Sequence, residues 1–115
     1  MTSIATENKT TSESYWKDAQ EMRESVEEWS DRIQVNVKQI QFRSMKRKWA
    51  SISTSGRLTL NAGLLELPKE FGELAIVHEL VHLLAPNHGK LFKCYMWAYL
   101  PDWEEREQRL RDFCE

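Results

Sequence analysis

The chain has 115 residues, of which 41% are hydrophobic and 30% charged, and its 16 basic and 18 acidic side chains leave a formal net charge of -2. This length allows one domain with one modest core, burying about two thirds of the unfolded surface, and the balanced charge gives no general pull toward nucleic acid or an anionic membrane. No apolar run approaches the ~20 residues of a membrane span, and the only cysteines, Cys94 and Cys114, lie far apart, as expected of free thiols in a cytoplasmic protein.

Residues 1–13 are polar and carry neither the apolar stretch of a signal peptide nor the arginine-rich character of a transit peptide. They read as a disordered lead-in to a single domain over 14–115. Ser12 or Ser14 is placed to cap a first helix, in which Tyr15, Trp16, Ala19, Met22, Val26 and Trp29 recur at helical spacing as core residues. From Ile33 to Phe42 the apolar positions alternate, with a shift after Val37, which predicts a strand containing a bulge or register change. Arg43, Lys46, Arg47 and Lys48 follow as a basic cluster. It is either a solvated loop or a site for a phosphate or substrate carboxylate, to which an arginine fork is suited. Trp49–Thr54 and Arg57–Asn61 read as two strands of a hairpin turning at Ser55 and Gly56. Pro68 opens a helix containing Leu74, Ile76, Val77, Leu80, Val81 and Leu84, apolar on most sides and therefore buried. A further helix is expected over Gly89–Leu100, and Asp102 is placed to cap a last one ending near Phe113. The expected class is α+β: a small antiparallel three-stranded sheet packed on the central helix and flanking helices.

All three histidines fall between positions 78 and 88. His78 and His82 are four apart, one turn along a helix, so both rings can reach one ion. Catalytic zinc usually takes three protein ligands and keeps a fourth position for water. His88 can supply the third ligand if the helix stops, and Pro86 and Asn87 supply that break. Glu79, about 100° around the helix from His78, is placed to flank one bound Zn2+ as a general base. The pattern is the His-Glu-x-x-His signature of zincins. The blander alternative is an amphipathic core helix whose histidines are merely satisfied. The spacing of the histidines matches metzincins, but Ala85 stands where those have glycine and no methionine-turn follows, which argues against that group. Phe92, Tyr95 and Tyr99 follow His88 at helical spacing. Tyr95 is a candidate oxyanion donor, or else a core residue with its hydroxyl satisfied.

The run Leu74–His82, with Asn87-His88-Gly89 and Phe92, resembles the YgjP-like metal-dependent hydrolases, a group allied to zincin metallopeptidases and more loosely to SprT and WLM-type proteases. Further matches, in the family order, are Trp49-Ala50-Ser51-Ile52-Ser53, Gly56–Asn61 and Pro101-Asp102-Trp103. The family's Trp-Gly-Ser-Cys-Ser is here Trp-Ala-Ser-Ile-Ser, so a role of that glycine or cysteine is lost or replaced. The resemblance implies a minimal zincin-like fold and a metal-dependent hydrolase, and leaves the substrate open. With the histidine motif it points to a zinc metallopeptidase acting on a peptide or protein, while the charge and hydropathy predict no nucleic acid or membrane as partner. The resemblance also implies a sheet edge that holds an extended substrate, with Arg57–Asn61 as candidate edge. The substrate-binding candidates are then Arg43, Arg47, Trp49, Leu58, Thr59, Leu60 and Asn61. Two alternatives stand beside this reading. One, which the resemblance also allows because a UTP pyrophosphatase activity has been assigned within the group, is a nucleotide pyrophosphohydrolase using the basic cluster for phosphates. The other is a structural zinc module completed by a fourth ligand from Asp102, Glu104 or Glu105.

Overall fold

The computed structural model describes residues 14–114. The lead-in expected over 1–13 lies outside them, and so does Ser12. Helix α1 (Ala19–Ile33) is capped by Asp18, whose Oδ1 accepts the Glu21 amide at 2.9 Å. Glu21 reaches back to accept the Lys17 amide at 2.7 Å, so the Asp-x-x-Glu pattern acts reciprocally, as in a capping box. The start thus lies later than Ser14. Tyr15 instead forms a bridge with Pro68, and Trp16 is buried against Gly72, where an added Cβ would stand 2.6 Å from the indole nitrogen.

The buried face of α1 is Met22, Val26, Trp29 and Ile33, the i, i+4, i+7, i+11 stripe of a core-facing helix. Ile33 therefore belongs to the helix and not to the strand expected from its alternation with Val35 and Val37. Gln34 ends the helix in the left-handed region (φ 67) and donates to the Ser30 carbonyl at 2.8 Å. Strand β1 is confined to Gln39–Arg43.

Strands β2 (Ala50–Ile52) and β3 (Arg57–Asn61) form the expected antiparallel hairpin, pairing Ala50 with Leu60 and Ile52 with Leu58. Gly56, at φ +96, closes its turn by donating to Ser53, and an added Cβ there would meet the Asn36 carbonyl oxygen at 2.7 Å. Gly56→Ala is accordingly expected to cost about 1–3 kcal/mol. A thermal melt should show the midpoint fall by several degrees; an unchanged midpoint would contradict this account of the turn.

The sheet is mixed, with order β1-β3-β2, and not purely antiparallel: β1 pairs with β3 in parallel, Gln39 opposite Arg57 and Arg43 opposite Asn61. The physical reason is the 44–49 segment. It carries the chain over the end of β3 before the hairpin turns back, leaving β1 and β2 on opposite edges. Asn61, 8% exposed at that end, pins the crossing. Its Nδ2 donates to the carbonyls of Met45 and Lys48, each at 2.9 Å, and its Oδ1 accepts the Gly63 amide at 3.0 Å.

After a 3-10 turn over Ala62–Glu66, helix α2 (Lys69–His82) runs through the core and packs against β2. Eight of its residues, Phe71, Gly72, Leu74, Ala75, Ile76, Val77, Leu80 and Val81, are buried. Helices α3 (Lys90–Tyr99) and α4 (Trp103–Phe113) pack on α2. Asp102 does not cap α4 through its side chain; the carboxylate instead takes the Arg106 guanidinium at 3.0 Å, and Arg106 also reaches Glu73 on α2. No helix of the described residues is long and apolar enough to cross a membrane.

Candidate metal centre

Helix α2 ends at His82, and the turn over Leu83 and Leu84 redirects the chain before Pro86 and Asn87. His88 then precedes α3 and faces back onto the helix. One donor atom from each of His78, His82 and His88 lies within 4.8 Å of the others, and no fourth residue joins this group among the described residues. The ring centroids are 4.6–5.1 Å apart.

Two contacts orient the rings. His82 Nδ1 is 3.3 Å from the Ala85 carbonyl oxygen, which favours a proton on Nδ1 and turns Nε2 toward His88 Nε2, 3.0 Å away. His78 Nδ1 is 3.1 Å from Glu79 Oε2. Hydrogen bonds of this kind fix the tautomer of metal-ligating histidines. Beneath the three rings lies Phe92, 2% exposed, with centroid distances of 4.8–5.1 Å to each. Phe92 is a floor that positions all three imidazoles and offers no competing donor. Nitrogens sharing one tetrahedral ion at about 2.0 Å stand roughly 3.3 Å apart. The observed separation of the His82 and His88 nitrogens, together with a set of three imidazoles, fits a divalent cation.

The electrostatics favour the same state. Burial of His82, then the neighbouring His78, lowers its pKa below the usual imidazole value, against the opposing pull of Glu79. The neutral ring is the ligand form. Its contribution to stability is complete above about pH 6.5 and is lost as the pH falls through the depressed folded-state value.

Glu79, with its side chain 12% exposed, borders two hollows. One, of about 540 Å3, is walled by Trp49, Ala50, Leu74, Ala75, Leu110 and Cys114, with Lys48, Glu107 and Arg111 around them and His78 at the metal end. The other, of about 380 Å3, is formed by Ile52, Ser53, Thr54, His82, Leu83 and Pro86. Together they make a cleft along β2, with Glu79 between the halves.

This geometry sorts the residues singled out from the sequence. The three histidines, Glu79 and Trp49 come together at the cleft. Leu58, Thr59, Leu60 and Asn61 do not: β3 is the central strand, paired on both sides, and all four side chains are buried. The edge beside the histidine cluster is β2, because β1 occupies the other side of β3. Arg43 and Arg47 are exposed at either end of the crossing and line neither hollow. Tyr95 stacks on Tyr99 at 6.4 Å and likewise lines neither hollow. Asp102 and Glu104 are engaged by Arg106 and by the Trp97 indole, at 3.0 and 3.2 Å, away from the histidine cluster. The roles of the Ala85 carbonyl and of Leu74, Ala75 and Leu110 as cleft walls are new; a backbone oxygen leaves no sequence signal, and apolar helix residues read simply as core.

The solved structures that resemble the chain include two archaeal metallopeptidase zymogens. The metallopeptidase zymogen jannalysin of Methanocaldococcus jannaschii superposes with a TM-score of 0.74 at 27% identity, covering 87% of this chain and 100% of that one. The metallopeptidase zymogen abylysin of Pyrococcus abyssi gives 0.69 at 25% identity, covering 77% and 90%. No curated protein sequence matches. Residues 3–113 match the family model described as "YgjP-like, metallopeptidase domain", and with nearly the whole length matched the chain belongs to the YgjP-like metallopeptidases.

Proposed function

We propose that this protein is a zinc peptidase in which His78, His82 and His88 hold one Zn2+ and Glu79 is the general base. The observation that carries the reading is the convergence of three imidazole donors within 4.8 Å, beside Glu79, in a cleft that follows the open edge of β2. Bound zinc supplies a Lewis acid that polarises a carbonyl and makes water nucleophilic at neutral pH. Glu79 takes the proton from the attacking water and returns it to the leaving amine, the exchange a carboxylate beside the reacting centre performs. The edge of β2 holds the peptide extended by strand addition, with Trp49 against the residue entering the larger hollow. Phe92 and the Ala85 carbonyl keep the imidazoles aimed and the correct nitrogens free. The absence of a fourth protein donor among the described residues supports a catalytic centre over a structural one.

The test is hydrolysis of a quenched-fluorescent peptide library by the purified chain loaded with one equivalent of zinc. Cleavage that a chelator abolishes and zinc restores, and that His88→Ala lacks, is expected. Hydrolysis of UTP to UMP and pyrophosphate with no peptide cleaved would replace this reading with a nucleotide hydrolase. Zinc affinity, measured by competition with a chromophoric chelator, is expected to fall as the solution is acidified, because protons compete with the metal for imidazole nitrogen. An affinity flat from pH 7.5 to 5.5 would count against the three-histidine site.

A further inference from the structure

The segment 43–48, Arg-Ser-Met-Lys-Arg-Lys, places four cations in six residues with no acid among them, in a chain whose net charge is negative. Arg43, Lys46, Arg47 and Lys48 are all exposed, and none is in an ion pair among the described residues. Three cations elsewhere in the fold are committed: Arg106 and Arg109 tie α4 to α2, and Lys69 pairs with Glu21. The cluster is also held in place. Asn61 grips the carbonyls at Met45 and Lys48, so the charges project from a fixed backbone. It leads directly into the cleft, since Lys48 and Trp49 line the 540 Å3 hollow next to His78 and Glu79.

We infer that this basic crossing is a substrate-selecting surface, and that the preferred substrate is a peptide segment with a large apolar residue followed by several carboxylates. The inference rests on the peptidase reading and adds the substrate class. The hollow is walled mainly by Trp49, Ala50, Leu74, Ala75 and Leu110 and has room for an aromatic or large aliphatic side chain. A peptide added antiparallel to β2 runs from the Ile52 end to the Ala50 end, so the residues after the one in the hollow reach Lys48, Arg47 and Lys46. Carboxylates there meet unpaired cations, which steer encounter and select partner by charge. A nucleic acid fits less well. A phosphate backbone needs an extended track of cations, and a chain of net charge -2 with its exposed basic run confined to six residues does not supply one, whereas a short acidic segment needs only the run itself.

Binding is measured by calorimetry on the full-length Glu79→Gln protein loaded with zinc, which holds the peptide without turning it over. The probes are an acetylated and amidated heptapeptide with one phenylalanine followed by three aspartates, and its counterpart with three asparagines. The aspartate peptide is expected to bind about tenfold more tightly at low salt, an advantage that shrinks as salt screens the exposed pairs. Joint replacement of Lys46, Arg47 and Lys48 by serine should erase the advantage. Replacing Lys90 and Lys93 on α3, which line neither hollow, should leave it intact. Because all these side chains are exposed, the fold is expected to survive, and circular dichroism checks it. Equal affinity for the two peptides overturns the inference, as does an advantage lost equally in both lysine variants. Tighter binding of an oligothymidylate than of the aspartate peptide, removed by the same triple replacement, overturns it in favour of nucleic acid. The two readings fail separately: preferential binding without cleavage by the wild-type zinc protein sinks only the peptidase reading, and cleavage without charge preference sinks only this one.

Discussion

Glu79→Gln is expected to lower peptide turnover by about 10²- to 10⁴-fold, the usual worth of a positioned general base. Zinc should stay bound, because the three donors are imidazoles and the carboxamide is nearly the same size as the carboxylate. The amide oxygen can still accept from His78 Nδ1, the contact seen at 3.1 Å, so the ring keeps its orientation. What is lost is the capacity to accept a proton from water at neutral pH. Metal content by mass spectrometry and turnover by single-substrate kinetics decide the matter together. A zinc-loaded Glu79→Gln protein with near wild-type turnover sinks the assignment of the base. Loss of zinc along with turnover shows that Glu79 acts chiefly by orienting His78.

Phe92→Ala is expected to do double damage. The ring is 2% exposed and lies between the three imidazoles and Trp103, whose centroid is 6.4 Å away. Truncating a buried phenylalanine costs about 3–5 kcal/mol, through lost transfer energy and the cavity left behind. The imidazoles also lose the surface they rest on, so zinc affinity should fall by roughly 10- to 100-fold, the range seen when groups supporting metal ligands are removed. Phe92→Leu separates the effects: it refills most of the volume and recovers most of the stability, while a flat ring remains absent from beneath the histidines. Chemical denaturation and chelator competition on both variants provide the measurements. Unchanged zinc affinity in a folded Phe92→Ala protein would reduce Phe92 to an ordinary core residue.

The parts legible in the sequence were those carried by local spacing. His78 and His82 had to share a helix face, and the chain had to break before His88; the break comes at Leu83 and Leu84, ahead of the Pro86 and Asn87 expected to make it, so Leu84 lies outside the helix. The hairpin was written in the Ser55-Gly56 turn. Competing local signals produced the shifts at α1. Ser14 and Asp18 are both good caps, and the reciprocal partner Glu21 favours Asp18; Ile33 fits an alternating pattern as well as the helical stripe through Trp29. Sheet order was not legible at all, because pairing across the sheet depends on contacts between distant segments. Four consecutive buried residues in Arg57–Asn61 are the mark of a central strand, yet Thr59 and Asn61 are polar and masked it. Thr59 is satisfied by Gln41 at 3.0 Å, and Asn61 by the crossing that it holds.

Asn61 grips the crossing by main-chain carbonyls, and every residue type has one. The grip is therefore indifferent to which side chains stand at 46–48. Those positions can be rewritten, from basic to acidic or apolar, without asking the backbone to move and without touching the histidines. The chain thus separates a part that must stay fixed for chemistry from a part that is free to drift. In related chains that keep this asparagine, the segment before the tryptophan is where divergence of substrate preference should concentrate.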